Sequence, residues 1–440
     1  MIHISNLRTE SADGWTKLIA DFTYHGGGVL LSFEPVIWLA VKDEDAYMLA
    51  DDVYDAFLLV PLYIAMYYKQ DLHIHGPVSK KLYKNTMHYL QRILCDFSDD
   101  LSPVNVTVDG FKVADGNPDI VGAGLSCGVD SLSTVYDWYV KETDPDYRIS
   151  ALFFMDTGWN GDFINDVSKD LCMERYDMSK KAANELGIPL HLLATNLHAL
   201  TYKIYPGLSG VGHIGYLTNY SCVLGLQRAM KRYYTSNCFS YSQILNFSVK
   251  FKDRDFAEFS ESYSVPLIQT EKLELVIDGC QYERNQKIEK IVDWDIAQKY
   301  LSPCVQIADT SQIRHADNCS SCRKCMSVMM TLDALGKLDK FSEIFDLSEY
   351  KKHLRYYKFK AVYNHFKGIP QGSEPDIYVF LKKHGMKLPS FIGACMYFSY
   401  RFIRDKVIYR IKRAVRKVVG DKVYDAVKRT LKRPTSEQSN

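Results

Sequence analysis

Between Asp119 and Ser240 the chain alternates unbroken apolar runs with stretches of helical period. The runs "DIVGAGL", "ISALFFMD" and "IPLHLLAT" have the composition of strands buried on both faces. In "SLSTVYDWYV", Leu132, Val135, Tyr136, Tyr139 and Val140 fall at i, i+3, i+4, i+7 and i+8, one apolar face of a helix. A second helix is expected from about Val167 to Leu186, closed by Gly187, and a third from about Ile214 to Arg232, ahead of "YYTSNCFS". Apolar strands without alternation, separated by helices, predict a parallel sheet covered on both sides.

The pattern differs on either side of this region. From Gly27 to about Leu94 the strands "GVLLSFEPVIWLAV" and "DLHIHG" surround helices near 53–68 and 79–95; "VNVTVDGFKVADG" comes next, and Asn117-Pro118 breaks the pattern. A separate N-terminal α+β domain over 1–117 is expected, then an α/β domain over 118–300. Residues 284–300 and 322–365 read as helical, which gives a helical region over 301–390. The last segment, 391–440, is an amphipathic tail with Ile403, Val407, Ile411, Ala414, Val415 and Val418 on one stripe.

With 47% hydrophobic and 24% charged residues, the 440-residue chain has an ordinary globular composition. The start, "MIHISNLRTESADGW", lacks the charged and apolar regions of an export signal. The most apolar run, "AFLLVPLYIAMYY", is too short to span a membrane and contains Pro61. A cytoplasmic protein is expected. Its net charge of +1 conceals sorting along the chain: residues 401–440 carry thirteen Lys and Arg against four acidic residues, a net +9 that leaves −8 for the rest. Such a tail suits an anionic membrane surface, nucleic acid, or docking of its apolar stripe on the protein's own core. The first would allow a peripheral position on the inner face of the membrane.

Chemistry concentrates in two places. The first is "GAGLSCGVDS", which leaves the first strand and enters the helix beginning near Ser131. Ligands of α/β sheets bind beyond the carboxyl ends of strands, where free backbone N–H groups at helix starts receive anions. The alternative use of this stretch is a plain turn with Asp130 or Ser131 as N-cap. No lysine follows Gly128, which excludes the Walker pattern. Gly122, Gly124 and Gly128 are spaced G-x-G-x-x-x-G, not as in a dinucleotide fingerprint, and the strand-end acid Asp156 lies 34 residues after Gly122.

"SCGVDS" instead resembles S-G-G-x-D-[ST], the pyrophosphate loop of the PP-loop ATP pyrophosphatases, the adenine nucleotide alpha hydrolase-like superfamily. The resemblance extends over roughly 119–335 and takes in "DTG", "TNYSCVLGLQRAM" and "DGCQYERNQKIEKI". Cys127 departs from it, standing where the pattern has its first glycine. The resemblance implies a parallel doubly wound sheet of HUP type and attack on the α-phosphate of ATP, with pyrophosphate leaving. It further implies that Ser126, Gly128, Asp130 and Ser131 hold pyrophosphate and its Mg²⁺, with Cys127 and Val129 completing the loop. Asp156 and Thr157 would lie near the ribose or adenine, and Asn219 matches a family asparagine. Arg284 and Lys287 would neutralise phosphate charge. Ser126, Asp130 and Lys287 are the residues expected to act in catalysis.

The second place is "CSSCRKC". Cys319, Cys322 and Cys325 form C-x-x-C-x-x-C, and among eleven cysteines in a chain without an export signal this points to metal. Zinc needs a fourth ligand. Cys304, with fourteen residues between it and Cys319, is the first choice and His315 the second; an iron–sulfur cluster on three thiolates is the alternative. A PP-loop followed by a four-cysteine zinc site resembles the 7-cyano-7-deazaguanine synthase branch, which usually has about eight residues in that interval. The isolated histidines His73, His75 and His191 read as structural; His213 opens the third helix near where related enzymes contact substrate.

Together these features predict an enzyme that adenylates a small carboxylate or base-like substrate and then lets a nucleophile displace AMP. ATP, Mg²⁺ and Zn²⁺ are the expected cofactors. The expected partners are a small-molecule substrate, a membrane surface or nucleic acid along the tail, and a second copy of the chain. Two other classes compete: a nucleotide-binding component of a defence or assembly system without turnover, and a tRNA-modifying enzyme.

Overall fold

The computed structural model describes residues 1–24, 35–158, 169–202, 208–250, 257–304, 317–369 and 376–419. Ten strands run in chain order: β1 (Ile2–Ala12), β2 (Trp15–Tyr24), β3 (Val36–Lys42), β4 (Leu72–Val78), β5 (Val106–Phe111), β6 (Ile120–Gly124), β7 (Ala151–Asp156), β8 (Leu190–Thr195), β9 (Met230–Ser236) and β10 (Glu274–Asp278). The helices that shape the core and the sites are α1 (Leu59–Tyr68), α2 (Val129–Val135), α3 (Lys169–Leu186), α4 (Leu208–Gly225), α5 (Ala257–Ser264), α6 (Arg284–Ile291), α7 (Arg323–Ala334), α8 (Leu347–Lys367) and α9 (Phe391–Val419).

All ten strands join one sheet in the order β10-β9-β6-β7-β8-β3-β2-β1-β4-β5. The strands β6, β7 and β8 expected from the apolar runs are parallel, β9 and the unforeseen β10 extend the parallel set, and the chain steps from β6 outward through β7 to β8 before returning to β9 on the other side of β6. That return is a topological switch point, where the loops leaving β6 and β9 diverge and open a crevice at the carboxyl ends of the strands. The expected α3 is present from Lys169, and Gly187 comes after it at φ 72°. The third helix ends at Gly225, seven residues short of the expected limit, because Met230–Ser236 is already strand β9.

Residues 1–117 are not a separate domain. β3 pairs antiparallel with β8, Leu39 opposite Thr195 and Val41 opposite Leu193. Two side chains extend this seam. Asn196 accepts from Trp38 N (2.8 Å) and donates to Val36 O (2.8 Å), while Thr195 Oγ1 donates to Trp38 O (2.6 Å). One apolar core runs from Ile2 and Ile4 through α1 to Tyr233 and Leu275. Helix α1 is buried from Leu59 to Met66, so the chain's most apolar run is a central covering helix. Gly225 permits this packing: a Cβ there would stand 2.1 Å from Leu39 Cδ2. The expected boundary at 117 fails because the sheet and the core both cross it, and 300 is not a boundary either. One compact unit takes in Met1–Tyr350, and a second takes in most of residues 351–440.

The β1–β2 hairpin lies outside the strands expected from the sequence. It turns at Asp13 (φ 55°) and Gly14 (φ 77°), the left-handed pair that a two-residue hairpin turn requires. In the second unit, Phe359 stacks on Tyr397 (4.4 Å) and Phe398 packs on Tyr356 and Tyr363. Along α9, Ile392, Met396, Tyr400, Ile403 and Val407 form an exposed stripe. Side chains of 411–419, with the rest of the expected stripe, lie outside the described residues. Among the described residues no helix is long and apolar enough to cross a membrane.

Asp55 fastens the N-terminal segment to the parallel strands. Fully buried, it accepts from Ser79 N (2.7 Å), from the Ser79 hydroxyl and from Gln227 Nε2 (2.8 Å). Burial pushes its carboxyl up to about 6, against the lowering effect of these bonds. A folded-state value raised above the unfolded one means that this group stabilises the fold below about pH 4, a contribution lost as pH rises through about 6. Replacing Asp55 by Ala strands buried donors, and chemical denaturation at pH 7 should record a loss of about 2–4 kcal/mol; a loss below about 0.5 kcal/mol would show that the network carries little.

Candidate active site and metal centre

The loop between β6 and α2 opens at the switch point. Gly128 is the N-cap of α2, with extended backbone and no side-chain capping bond, so neither Asp130 nor Ser131 caps the helix as a plain turn would have them do. Both sit in the first turn, and the helix continues in wider turns to Lys141. The loop's hydroxyls are bonded only loosely. Ser131 Oγ lies 3.3 Å from Ser126 Oγ and 3.2 Å from Gly128 O, and Gly128 N lies 3.4 Å from Ser126 Oγ. Bonds this long are weak, and the groups making them remain available to a ligand.

Cys127 has φ 55°, a left-handed conformation that favours glycine. Its side chain turns inward, fully buried, with Sγ 3.9 Å from Ser179 Oγ on α3. Burial pushes the thiol up to about 12, so it is neutral and inert. A side chain at this position therefore strains the backbone without filling the crevice. Its carbonyl accepts from Ser302 N (2.8 Å), which ties the loop to the segment leading to Cys304.

Behind the loop lies a buried charge cluster. Glu283 and Gln286 close the start of α6 as a capping box. Arg284 and Lys287, three residues apart on one helix face, both reach Asp130: Arg284 Nη2 to Oδ2 and Lys287 Nζ to Oδ1, each 2.8 Å. Lys287 is fully buried and also donates to Asn237 O (2.5 Å) at the end of β9. Gly279 leaves room for it: at φ +87°, a Cβ there would meet Lys287 Nζ at 2.9 Å. Burial alone would raise the Asp130 carboxyl, but the charges and hydrogen bonds of Arg284 and Lys287 outweigh it and hold it well below the usual carboxylate range.

A cavity of about 360 Å³ occupies the carboxyl ends of β6, β7 and β9. Ser126, Ser131 and Arg284 line it at the loop, Thr157 and Asn219 at the far wall. A second cavity, of about 150 Å³, adjoins the loop where Gly128, Val129, Arg175 and Cys304 stand; Ser126, Asp130, Arg284 and Lys324 border both. Thr157 and Asn219, each singled out by the resemblance, are joined by a 2.6 Å hydrogen bond. Asp156 ends β7 fully buried, off the wall of either cavity. Lys287 likewise lies behind Asp130 and away from both walls, while Arg284 faces them. The side chain of His213, and the whole of His315, lie outside the described residues. His191 pairs with Asp45 (2.8 Å) away from the cavity.

Two contributors to the wall were not foreseen. Glu261, on α5, accepts from Tyr220 Oη (2.5 Å) and Asn237 Nδ2 (2.8 Å), and no motif in "AEFSESYS" marks it. Lys324 is the second residue of α7, inside "CRKC"; its position between two expected metal ligands was a usable signal.

That cluster is built. Cys304, Cys319, Cys322 and Cys325 hold their sulfurs within 4.8 Å of one another, with Cys304–Cys322 at 4.0 Å and Cys319–Cys325 at 3.9 Å. Four thiolates about 2.3 Å from a tetrahedral ion stand roughly 3.8 Å apart, so the set fits a metal ion and is consistent with zinc. Backbone amides of Cys322 and Cys325 point at the sulfurs of Cys319 (3.3 Å) and Cys322 (3.4 Å), as they do where thiolates must be stabilised. Helix α7, which starts within the cluster, thereby brings Lys324 to the cavity.

No protein-family model, no curated protein and no solved structure matches the chain.

Protein purified without chelator should carry one equivalent of metal in this cluster. Elemental analysis of Cys319→Ser should show that equivalent lost, with a lower unfolding temperature; an unchanged metal content would rule the cluster out as the ligand set.

Proposed function

We propose that the chain is an ATP-dependent, AMP-forming enzyme of the PP-loop type that adenylates a small carboxylate or base-like substrate. The observation that carries this reading is the Ser126–Ser131 turn, with loosely bonded hydroxyls and the start of α2 facing a crevice at the switch point, beside Arg284 and Lys324. Such a turn supplies backbone N–H donors and cations to an anion, as a departing pyrophosphate requires. A substrate oxygen forms a bond to the α-phosphorus, and the bond from phosphorus to the bridging oxygen breaks, its electron pair leaving with pyrophosphate. A nitrogen or sulfur nucleophile then displaces AMP.

Within this reading Ser126, Ser131 and Arg284 receive the pyrophosphate end, and Lys324 meets the same charge from α7. Asp130, at the edge of both cavities, and Lys287, behind it, position Arg284. Thr157 and Asn219 lie on the side left for ribose and base. The loop offers Mg²⁺ a poor donor set, because both Asp130 oxygens are taken by Arg284 and Lys287, and no step is routed through that ion. A zinc ion in the cysteine cluster would be structural, since all four of its positions are filled by thiolates.

The tail bears on partners. Exposed Ile392, Met396, Tyr400, Ile403 and Val407 alongside Arg401, Arg404, Lys406 and Arg410 favour an anionic membrane surface over nucleic acid, which has no use for an apolar stripe.

Pyrophosphate release from ATP, assayed against panels of small carboxylates and bases, tests the activity. Arg284→Ala should lower kcat/KM by about 10²-fold, the scale of losing one charge-stabilising donor. ATP binding with no pyrophosphate released under any condition would favour a non-catalytic nucleotide-binding component. Vesicles containing phosphatidylserine should sediment the full chain but not one ending at residue 390; equal sedimentation of both would refute the membrane role of the tail.

A further inference from the structure

The strands at the far end of the sheet from the crevice are covered on one face only. Along β1, β4 and β5 the inward positions, Ile2, Ile4, Leu72, Ile74 and Val106, are buried in the core. The opposite face is open, and on it the parallel register gathers residues that are far apart in sequence. His3 is opposite His73, and His73 opposite Thr107. With side chains alternating along each strand, His75 and Asp109 form the next row of the same face. Taken singly, His73 and His75 read as structural; the sheet makes them neighbours.

We propose that His73, His75 and Asp109 form a second metal site, open to solvent, for a divalent transition-metal ion of the zinc class. One ring nitrogen from each histidine and one carboxylate oxygen lie within 4.8 Å of one another. His73 Nε2 is 3.1 Å from Asp109 Oδ1, and His75 Nδ1 is 3.9 Å from Oδ2. Donors sharing an ion about 2.1 Å away stand roughly 3.0–3.4 Å apart in octahedral or tetrahedral geometry; the His73–Asp109 pair is already at that spacing, and the His75–Asp109 pair reaches it with a shift of about half an ångström. Side-chain exposures of 23% for His73, 42% for His75 and 53% for Asp109 leave the way in open.

The second observation is what lies behind the ligands. An imidazole that binds a metal usually has its other nitrogen held by a hydrogen-bond partner, which fixes tautomer and ring orientation. Both histidines have such a partner: Thr107 Oγ1 lies 2.6 Å from His73 Nδ1, and His3 Nδ1 lies 3.0 Å from His75 Nε2. The rings of His3 and His75 are stacked at 5.2 Å, and those of His73 and His75 meet edge-on at 4.2 Å. His73 and His75 would bind the ion as neutral imidazoles, each through the nitrogen that faces Asp109. Nitrogen and carboxylate donors suit zinc and neighbouring first-row ions over calcium or magnesium, and three protein ligands leave a position for water or a substrate group.

The test is calorimetric titration of Zn²⁺ into the full chain with its four-cysteine site already filled. One further equivalent should bind. His75→Asn with Asp109→Asn should abolish that second binding, while His3→Asn, which removes only the partner of a ligand, should weaken it by about 10-fold or more. These side chains are on the surface, and unfolding temperatures measured without added metal should match the parent, which separates loss of the site from loss of the fold. Co²⁺ in place of Zn²⁺ should give a second spectrum without thiolate-to-metal charge transfer. Absence of a second equivalent, its persistence in the double variant, or thiolate character in its spectrum would overturn the proposal.

Discussion

An ionised carboxylate at the base of a buried loop is costly without compensating charge or donors, and Asp130 is compensated twice. Arg284 and Lys287 neutralise it, and in doing so they draw α6 to the start of α2. Lys287 also donates to Asn237 O, so the ends of β6, β9 and β10 share one buried ammonium. Breaking such a cluster by removing one partner costs several kcal/mol, because the remaining charge is left in a medium that cannot solvate it. The shape of the crevice results from this: the loop is pinned from behind, and its hydroxyls and helix start face outward.

The four-cysteine cluster borders the same crevice from the other side. Ser302 and Cys304 connect the loop's back to the four-cysteine set, through Cys127 O and through the cavity wall that Cys304 shares with Gly128. Helix α7 begins within the cluster, and its second residue, Lys324, borders both cavities. The four-sulfur set, which could hold a metal ion, therefore anchors the start of the helix that carries Lys324. The inert, buried thiol of Cys127 belongs to this packing rather than to chemistry.

The sheet joins two regions of different exposure. Its parallel half is covered on both faces and carries the crevice; its far end is covered on one face and presents the histidines of β1 and β4 to solvent. The antiparallel seam between β3 and β8 unites them, with Asn196 and Thr195 continuing the ladder where backbone pairing ends.

Local rules were enough for much of this. Unbroken apolar runs marked β6, β7 and β8; Gly187 closed α3; and "SCGVDS" and "CSSCRKC" marked the loop and three of the four sulfurs, since spacing along a turn is a property of the chain alone. The β1–β2 hairpin, which turns at Asp13-Gly14, was not among the expected strands. Other features depend on partners distant in sequence. The union of residues 1–117 with the parallel strands rests on pairing between Leu39 and Thr195, and the burial of Lys287 rests on Asp130 more than 150 positions away. Glu261 reached the cavity wall through Tyr220 and Asn237, and His3 met His75 through strand register. Sequence periodicity reports which face of an element is apolar; which elements then meet is decided by the shared core and by the pairing of buried charges, and those are settled only when the whole chain is packed.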